Sequence, residues 1–175
     1  MSRKNPNIII TGTPGVGKTS HCHVLAENTG LKHLLLNQLV KDKSCHEGWS
    51  EEFQSYIVDE DKLLDAMENE VEQGGCIIDW HGCDLFPERW IDLVIVLRTA
   101  TEQLYDRLKA RNYPEAKLQE NIDSEIMEVV LTEARECYAS EIVIELQSNT
   151  TDDLDSNIER IESWIENWKQ RPSVD

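Results

Sequence analysis

Gly12-Thr13-Pro14-Gly15-Val16-Gly17-Lys18-Thr19 follows the apolar run Ile8-Ile9-Ile10 and leads into a stretch with helical character. The pattern is G-x-x-x-x-G-K-[ST] between a strand and a helix, the context in which it cradles phosphate. Glycines let the backbone wrap close to a polyphosphate and turn its N–H groups inward as an anion nest. The helix that follows aims its positive dipole end at the same phosphates. Lys18 supplies a movable charge for β- and γ-phosphates, and the Thr19 hydroxyl can ligate Mg²⁺. A nucleotide-binding protein is expected.

Working outward, strand and helix patterns alternate to the end of the chain. Strands are predicted at 7–11, 32–36, 76–79, 91–97 and 142–146, and helices at about 18–28, 59–73, 99–111, 115–140 and 152–170. Thr99-Ala100-Thr101-Glu102 has the spacing of a capping box. Residues 37–58 are irregular and too long for a simple connection, so a short helix and a mobile functional segment are expected there. The expected architecture is α/β, a parallel sheet of about five strands covered on both faces, formed by one P-loop domain over 1–175. The phosphate loop then lies at the carboxyl end of strand one, where such sheets bind ligands.

Cys76-Ile77-Ile78-Asp79 places an acid at the end of an apolar strand, the second Mg²⁺-handling element such a loop needs. His81 follows two residues later, on the same side if the backbone stays extended. It can polarise a water or organise the metal shell, or it can be a satisfied structural imidazole. Arg107 and Arg111 lie four apart on one helix face beside the break at Asn112-Tyr113-Pro114, placed to close over phosphates or to pair with surface acids. His21 and His23 point to different helix faces, so a metal site there is not expected.

With 34 acidic against 17 basic residues the net charge is −17, which excludes a broad basic face for nucleic acid and suits a basic protein partner or simple solvation. No apolar run approaches the ~20 residues of a membrane span, and Ser2-Arg3-Lys4-Asn5-Pro6 does not read as a leader. Five scattered cysteines (22, 45, 76, 83 and 137) form no C-x-x-C pair, and reduced thiols are expected. N-K-x-D, the base-reading motif of switch GTPases, is absent from the sequence. An irregular insert after strand two and a break after an arginine-bearing helix suit a small-molecule phosphotransferase that closes a lid to exclude water.

Gly12–Ser20, Asp79-Trp80-His81-Gly82-Cys83-Asp84-Leu85-Phe86-Pro87-Glu88-Arg89-Trp90, Val96-Leu97-Arg98-Thr99 and Leu104-Tyr105-Asp106-Arg107-Leu108 resemble the nuclear adenylate kinase family. That family is the sixth adenylate kinase isoenzyme, also described as a coilin-interacting nuclear ATPase. The likeness continues through Arg111–Ile122 and the C-terminal Trp-bearing helix. It implies a single P-loop NTPase domain of nucleoside monophosphate kinase type. It implies reversible phosphoryl transfer from ATP to AMP with Mg²⁺ and tolerance of some other nucleoside monophosphates, ATPase activity, and maturation of the small ribosomal subunit through a basic ribosomal protein. It also implies residence in nucleus and cytoplasm; a monomer is expected. Gly15, Gly17, Lys18, Thr19 and Ser20 would hold ATP phosphates, with Arg111 contacting ATP from a lid at about 110–120. Lys18, Asp79, His81 and Arg107 would form the catalytic set, and Thr19 with Asp79 the metal set.

The monophosphate segment, about 35–58, departs from related kinases. Where they place G-D-L-x-R, this chain has Asn37-Gln38-Leu39-Val40-Lys41, so Lys41 keeps the acceptor-binding charge without the bidentate fork. An ATP-driven assembly switch with incidental kinase activity is the alternative reading.

Overall fold

A computed structural model describes residues 3–52 and 55–172. Strands β1 (Ile8–Thr11), β2 (Lys32–Leu35), β5 (Cys76–Asp79), β6 (Leu93–Arg98) and β7 (Val143–Gln147) form one sheet in the order β2-β5-β1-β6-β7. Every pairing in it is parallel. β1, β5 and the first five residues of β6 are fully buried, as runs of isoleucine and valine covered on both faces require. Register places Ile10 of β1 level with Asp79 of β5. The acid therefore emerges at the sheet edge where the phosphate loop begins.

Two apolar clusters sandwich the sheet. Helices α1 (Lys18–Thr29), α4 (Thr101–Ala110), α5 (Glu115–Ile126) and α7 (Thr151–Lys169) cover one face, through Leu25, Leu104, Leu118, Ile158, Ile161 and Ile165. The short α2 (Leu36–Asp42), α3 (Glu60–Gln73), α6 (Val129–Cys137) and the 80–91 segment cover the other. α3 begins as expected, with the Asp59 side chain accepting from the Lys62 N–H.

Three expectations are corrected. The irregular 37–58 segment holds an antiparallel hairpin, β3 (His46–Ser50) and β4 (Ser55–Val58), after α2. The single helix expected over 115–140 is two, broken where Glu128 takes a left-handed φ of 56°. Thr99 does not cap α4: its hydroxyl donates to the Ser148 carbonyl and its N–H to Glu125 Oε2. The capping box belongs instead to α7, between Thr150 and Asp153. Thr99 is drawn away because the carboxyl ends of β6 and β7 need tying together more than the helix needs its cap.

The five cysteines at 22, 45, 76, 83 and 137 are unpaired, and no helix among the described residues is long and apolar enough to cross a membrane. Buried Asn7 locks the bottom of the sheet. Its Nδ2 donates to the carbonyls of Val71 (2.7 Å) and Trp90 (2.8 Å), while Oδ1 accepts from the Cys76 N–H (3.1 Å). Asn7→Ala orphans all of these groups inside the core and should cost about 2–4 kcal/mol, read as a lowered urea midpoint at unchanged m-value.

Candidate functional site

The phosphate loop is shaped by left-handed glycines. Gly12 has φ 150° and Gly15 φ 97°. A Cβ on Gly12 would stand 2.6 Å from Val16 Cγ2 and 2.9 Å from the Leu97 carbonyl oxygen, so no other residue fits between β1 and β6. The loop is also braced from below. The Thr13 hydroxyl donates to Glu125 Oε1 at 2.9 Å, and Ser148 Oγ donates to the Val16 carbonyl at 2.5 Å. Buried His21 bonds through Nδ1 to the Gly17 carbonyl (2.8 Å) and through Nε2 to Asn157 Nδ2 (3.1 Å). Since that amide nitrogen can only donate, the proton sits on Nδ1 and the ring is neutral, consistent with burial holding its pKa below the ordinary value.

Above the loop a cleft of about 380 Å³ is lined by Gly15, Gly17, Lys18, Thr19, Ser20, Asp79, His81 and Arg111, with Tyr113 and Lys117 across from them. Most of the predicted residues therefore converge. Lys18 Nζ donates to the carbonyls of Gly12 (2.9 Å) and Thr13 (3.2 Å). Burial lowers its pKa from 10.5 to about 8, against the opposing pull of Asp79. Asp79 is 3% exposed and accepts from the Thr19 hydroxyl at 2.8 Å and pairs with His33 Nε2 at 3.0 Å. A threonine hydroxyl beside a carboxylate is a hard oxygen donor set, which fits Mg²⁺. β5 ends at Asp79 and His81 sits on a bend, so strand alternation does not deliver it; the bend does. Its ring leans on Trp80 at a centroid distance of 4.2 Å. The surrounding protein and then the Lys18 charge lower its pKa, so the ring is held neutral at the mouth of the cleft.

Two predicted residues lie elsewhere. Lys41 lines an adjoining cavity of about 400 Å³ with Val40, Trp49, Tyr56 and Val58. This cavity shares Asn37, Ser55, Trp80 and His81 with the phosphate cleft. α2 puts Asn37 and Lys41 four apart on one face, so both point toward it. Arg107 is the larger departure. Its guanidinium donates to the carbonyls of Gly15 (3.2 Å) and Asn149 (3.0 Å) and to Thr99 Oγ1 (3.3 Å). It lines a third cavity, about 350 Å³, with Ser148, Asn149, Thr150 and Leu154, which opens beside Gly15, Gly17 and Arg111. Arg107 thus braces the loops and lines this third cavity, and it is not among the residues lining the cleft that holds Lys18 and Asp79. The lid region is a tight turn at Arg111–Pro114 with Asn112 at φ 59°, followed directly by α5.

Glu125, Ser148, Asn149 and Asn157 carry no sequence motif. The one sequence signal that could have found any of them is the position of 147–149 just past the end of an apolar strand. Glu125 is 4% exposed and also takes Arg98 Nε at 3.1 Å, so one carboxylate joins the phosphate loop, β6 and α5.

A family model described as an AAA domain matches residues 8–128. An adenylate kinase isoenzyme 6 homolog of Dictyostelium discoideum is 51% identical, with 98% of each chain covered. The homolog named FAP7 in Saccharomyces cerevisiae is 49% identical over 97% of this chain and 86% of that one. Among solved structures, a shikimate kinase from Acinetobacter baumannii in complex with shikimate superposes with a TM-score of 0.67. It is 18% identical and covers 95% of this chain and 96% of its own. A gluconokinase from Sinorhizobium meliloti gives 0.56 at 14% identity over 95% and 97%. These two likenesses show a shared P-loop kinase fold.

Because burial lowers the Lys18 pKa, the free protein loses the Lys18 charge as pH rises through about 8. Bound phosphates restore it. The kcat/KM for ATP should therefore fall above about pH 8 while kcat holds to higher pH; parallel decline of both would mean another group controls the profile.

Proposed function

The chain belongs to the adenylate kinase isoenzyme 6 family, and from that premise we propose that it transfers the γ-phosphate of ATP to AMP, giving two ADP. The observation that supports this reading is the pair of cavities meeting at Asn37, Ser55, Trp80 and His81. One holds the phosphate machinery, and the other has aromatic walls and a cation, suited to a second, base-bearing monophosphate. Trp49 stands edge-on to Tyr56 at 5.2 Å, and Trp49 is 49% exposed, offering a ring face for a base to cover.

Phosphoryl transfer leaves little covalent work for the protein. In this reading the loop N–H groups and Lys18 neutralise the β- and γ-oxygens, and Arg111 reaches the same cleft from the α4–α5 turn. Lys41 anchors the acceptor phosphate and Arg107 steadies the loops. Thr19 and Asp79 would hold Mg²⁺, which supplies charge neutralisation and orients the phosphates. His81 lies between the cavities, placed to order a water when no acceptor is bound, which supports a slower ATPase activity. A role in small-subunit (18S rRNA) maturation through a basic ribosomal protein, in nucleus and cytoplasm, fits the charge of −17. A second reading, an ATP-driven assembly switch, is favoured by one feature: Lys41 is exposed and offers the acceptor only a point charge.

The deciding measurement follows ADP and free phosphate together, from ATP and Mg²⁺, with and without AMP. Two ADP per ATP with little phosphate is expected; phosphate release indifferent to AMP would favour the switch. Lys18→Ala should abolish turnover. Lys41→Ala should raise KM for AMP about tenfold or more while leaving KM for ATP within about twofold, since a lost charge-assisted contact is worth about 1.5–3 kcal/mol. Equal changes for both nucleotides would remove Lys41 from the acceptor site.

A further inference from the structure

Thr19 and Cys22 lie three apart on the first turns of α1 and so share a face of that helix. In the sheet, Leu35 of β2 registers with Asp79 of β5. His33, two residues before Leu35, projects to the same face as Leu35 and meets that carboxylate. The result is that Cys22 Sγ, a His33 ring nitrogen and an Asp79 oxygen all lie within 4.8 Å of one another. The phosphate chemistry above calls on neither the thiol nor the imidazole. Cys22 is fully buried and the His33 side chain is 18% exposed.

We propose that Cys22, His33 and Asp79 form a binding site for a thiolate-seeking divalent cation of the zinc class. The donor set decides the class: oxygen ligands alone suit Mg²⁺, whereas sulfur and imidazole nitrogen select zinc-like ions. Donors around tetrahedral zinc stand about 3.3–3.6 Å apart, given its usual bond lengths, with a nitrogen–oxygen pair at the short end. The His33–Asp79 separation is 3.0 Å, so small side-chain adjustments complete the geometry. On binding, Cys22 loses its thiol proton to solvent and its sulfur lone pair forms the bond to the metal. His33 presents Nε2 with its proton on Nδ1, and Asp79 supplies a carboxylate oxygen. Three protein ligands leave a fourth position for water. Asp79 would be drawn away from the Thr19 hydroxyl. Zinc at this site and the Mg²⁺-nucleotide therefore exclude one another, a consequence that rests on the nucleotide reading of the cleft, whereas the binding itself does not.

The test uses the full chain without nucleotide, titrated with Co²⁺ alone. A near-ultraviolet thiolate-to-cobalt charge-transfer band, lost on adding equimolar Zn²⁺, is expected for the parent and for Cys137→Ser, which removes the exposed thiol. Cys22→Ala should lack the band and bind zinc about 100-fold more weakly against a chromophoric chelator. Should that variant misfold, Cys22→Ser keeps the shape without a thiolate. A band that survives loss of Cys22, or no band in the parent, overturns the site. At buffered free zinc, ATP turnover should fall in the parent and not in Cys22→Ala. Equal inhibition of both would overturn the exclusion.

Discussion

The buried carboxylate of Asp79 is the constraint around which the cleft is arranged. An acid 3% exposed persists as a charge only if it is paired and hydrogen-bonded. Here Thr19 donates to it from α1, His33 approaches it from β2, and the Lys18 charge lies close enough for Asp79 to act on its pKa. Each contact requires β1, β2 and β5 to be parallel neighbours in one register. The topology is thus a condition of the chemistry: slip β5 by one residue and the carboxylate turns to the opposite face.

A second carboxylate does comparable work on the other flank. Glu125 accepts from Thr13, Arg98 and the Thr99 N–H, so the loop, the end of β6 and α5 meet at one buried side chain. Arg107 and the His21–Asn157 pair fix Gly15 and Gly17 through their carbonyls. Fixing carbonyls matters for an anion nest, because a peptide held by its oxygen keeps its N–H aimed the opposite way. The loop is thereby preorganised, and nucleotide binding need not pay to order it.

The sheet, the phosphate loop and Asp79 were legible in the sequence because each is local. Apolar runs mark fully buried strands, and the loop motif states its own geometry. What escaped notice depends on tertiary partners. Glu128 takes a left-handed φ without a glycine to announce it, so one helix was expected where two exist. Gly48 and a half-polar pattern hid the β3–β4 hairpin, which among the described residues forms a two-stranded sheet of its own. Thr99 and Arg107 both carry plausible local roles that stronger long-range partners at Ser148 and Asn149 override. His33 read only as part of a strand, since nothing in a linear sequence says which strand will lie beside it.

The same physics separates a rigid half of the site from an adaptable one. The phosphate-loop half rests on β1, β5 and β6, whose cores are sealed on both faces. The half around Lys41 rests on α2 and on β3 and β4, outside the main sheet, and the residues of these two strands are exposed or half-buried. Elements with so little burial lie at the low end of local stability, where movement costs few contacts. If the proposed acceptor binds beside Lys41, closure over it can draw on β3 and β4 without disturbing the loop, and water exclusion would then follow the second substrate rather than ATP alone. Under the proposed transfer reaction, such an arrangement would couple the choice between transfer and hydrolysis to whatever occupies the cavity beside Lys41 and Trp49.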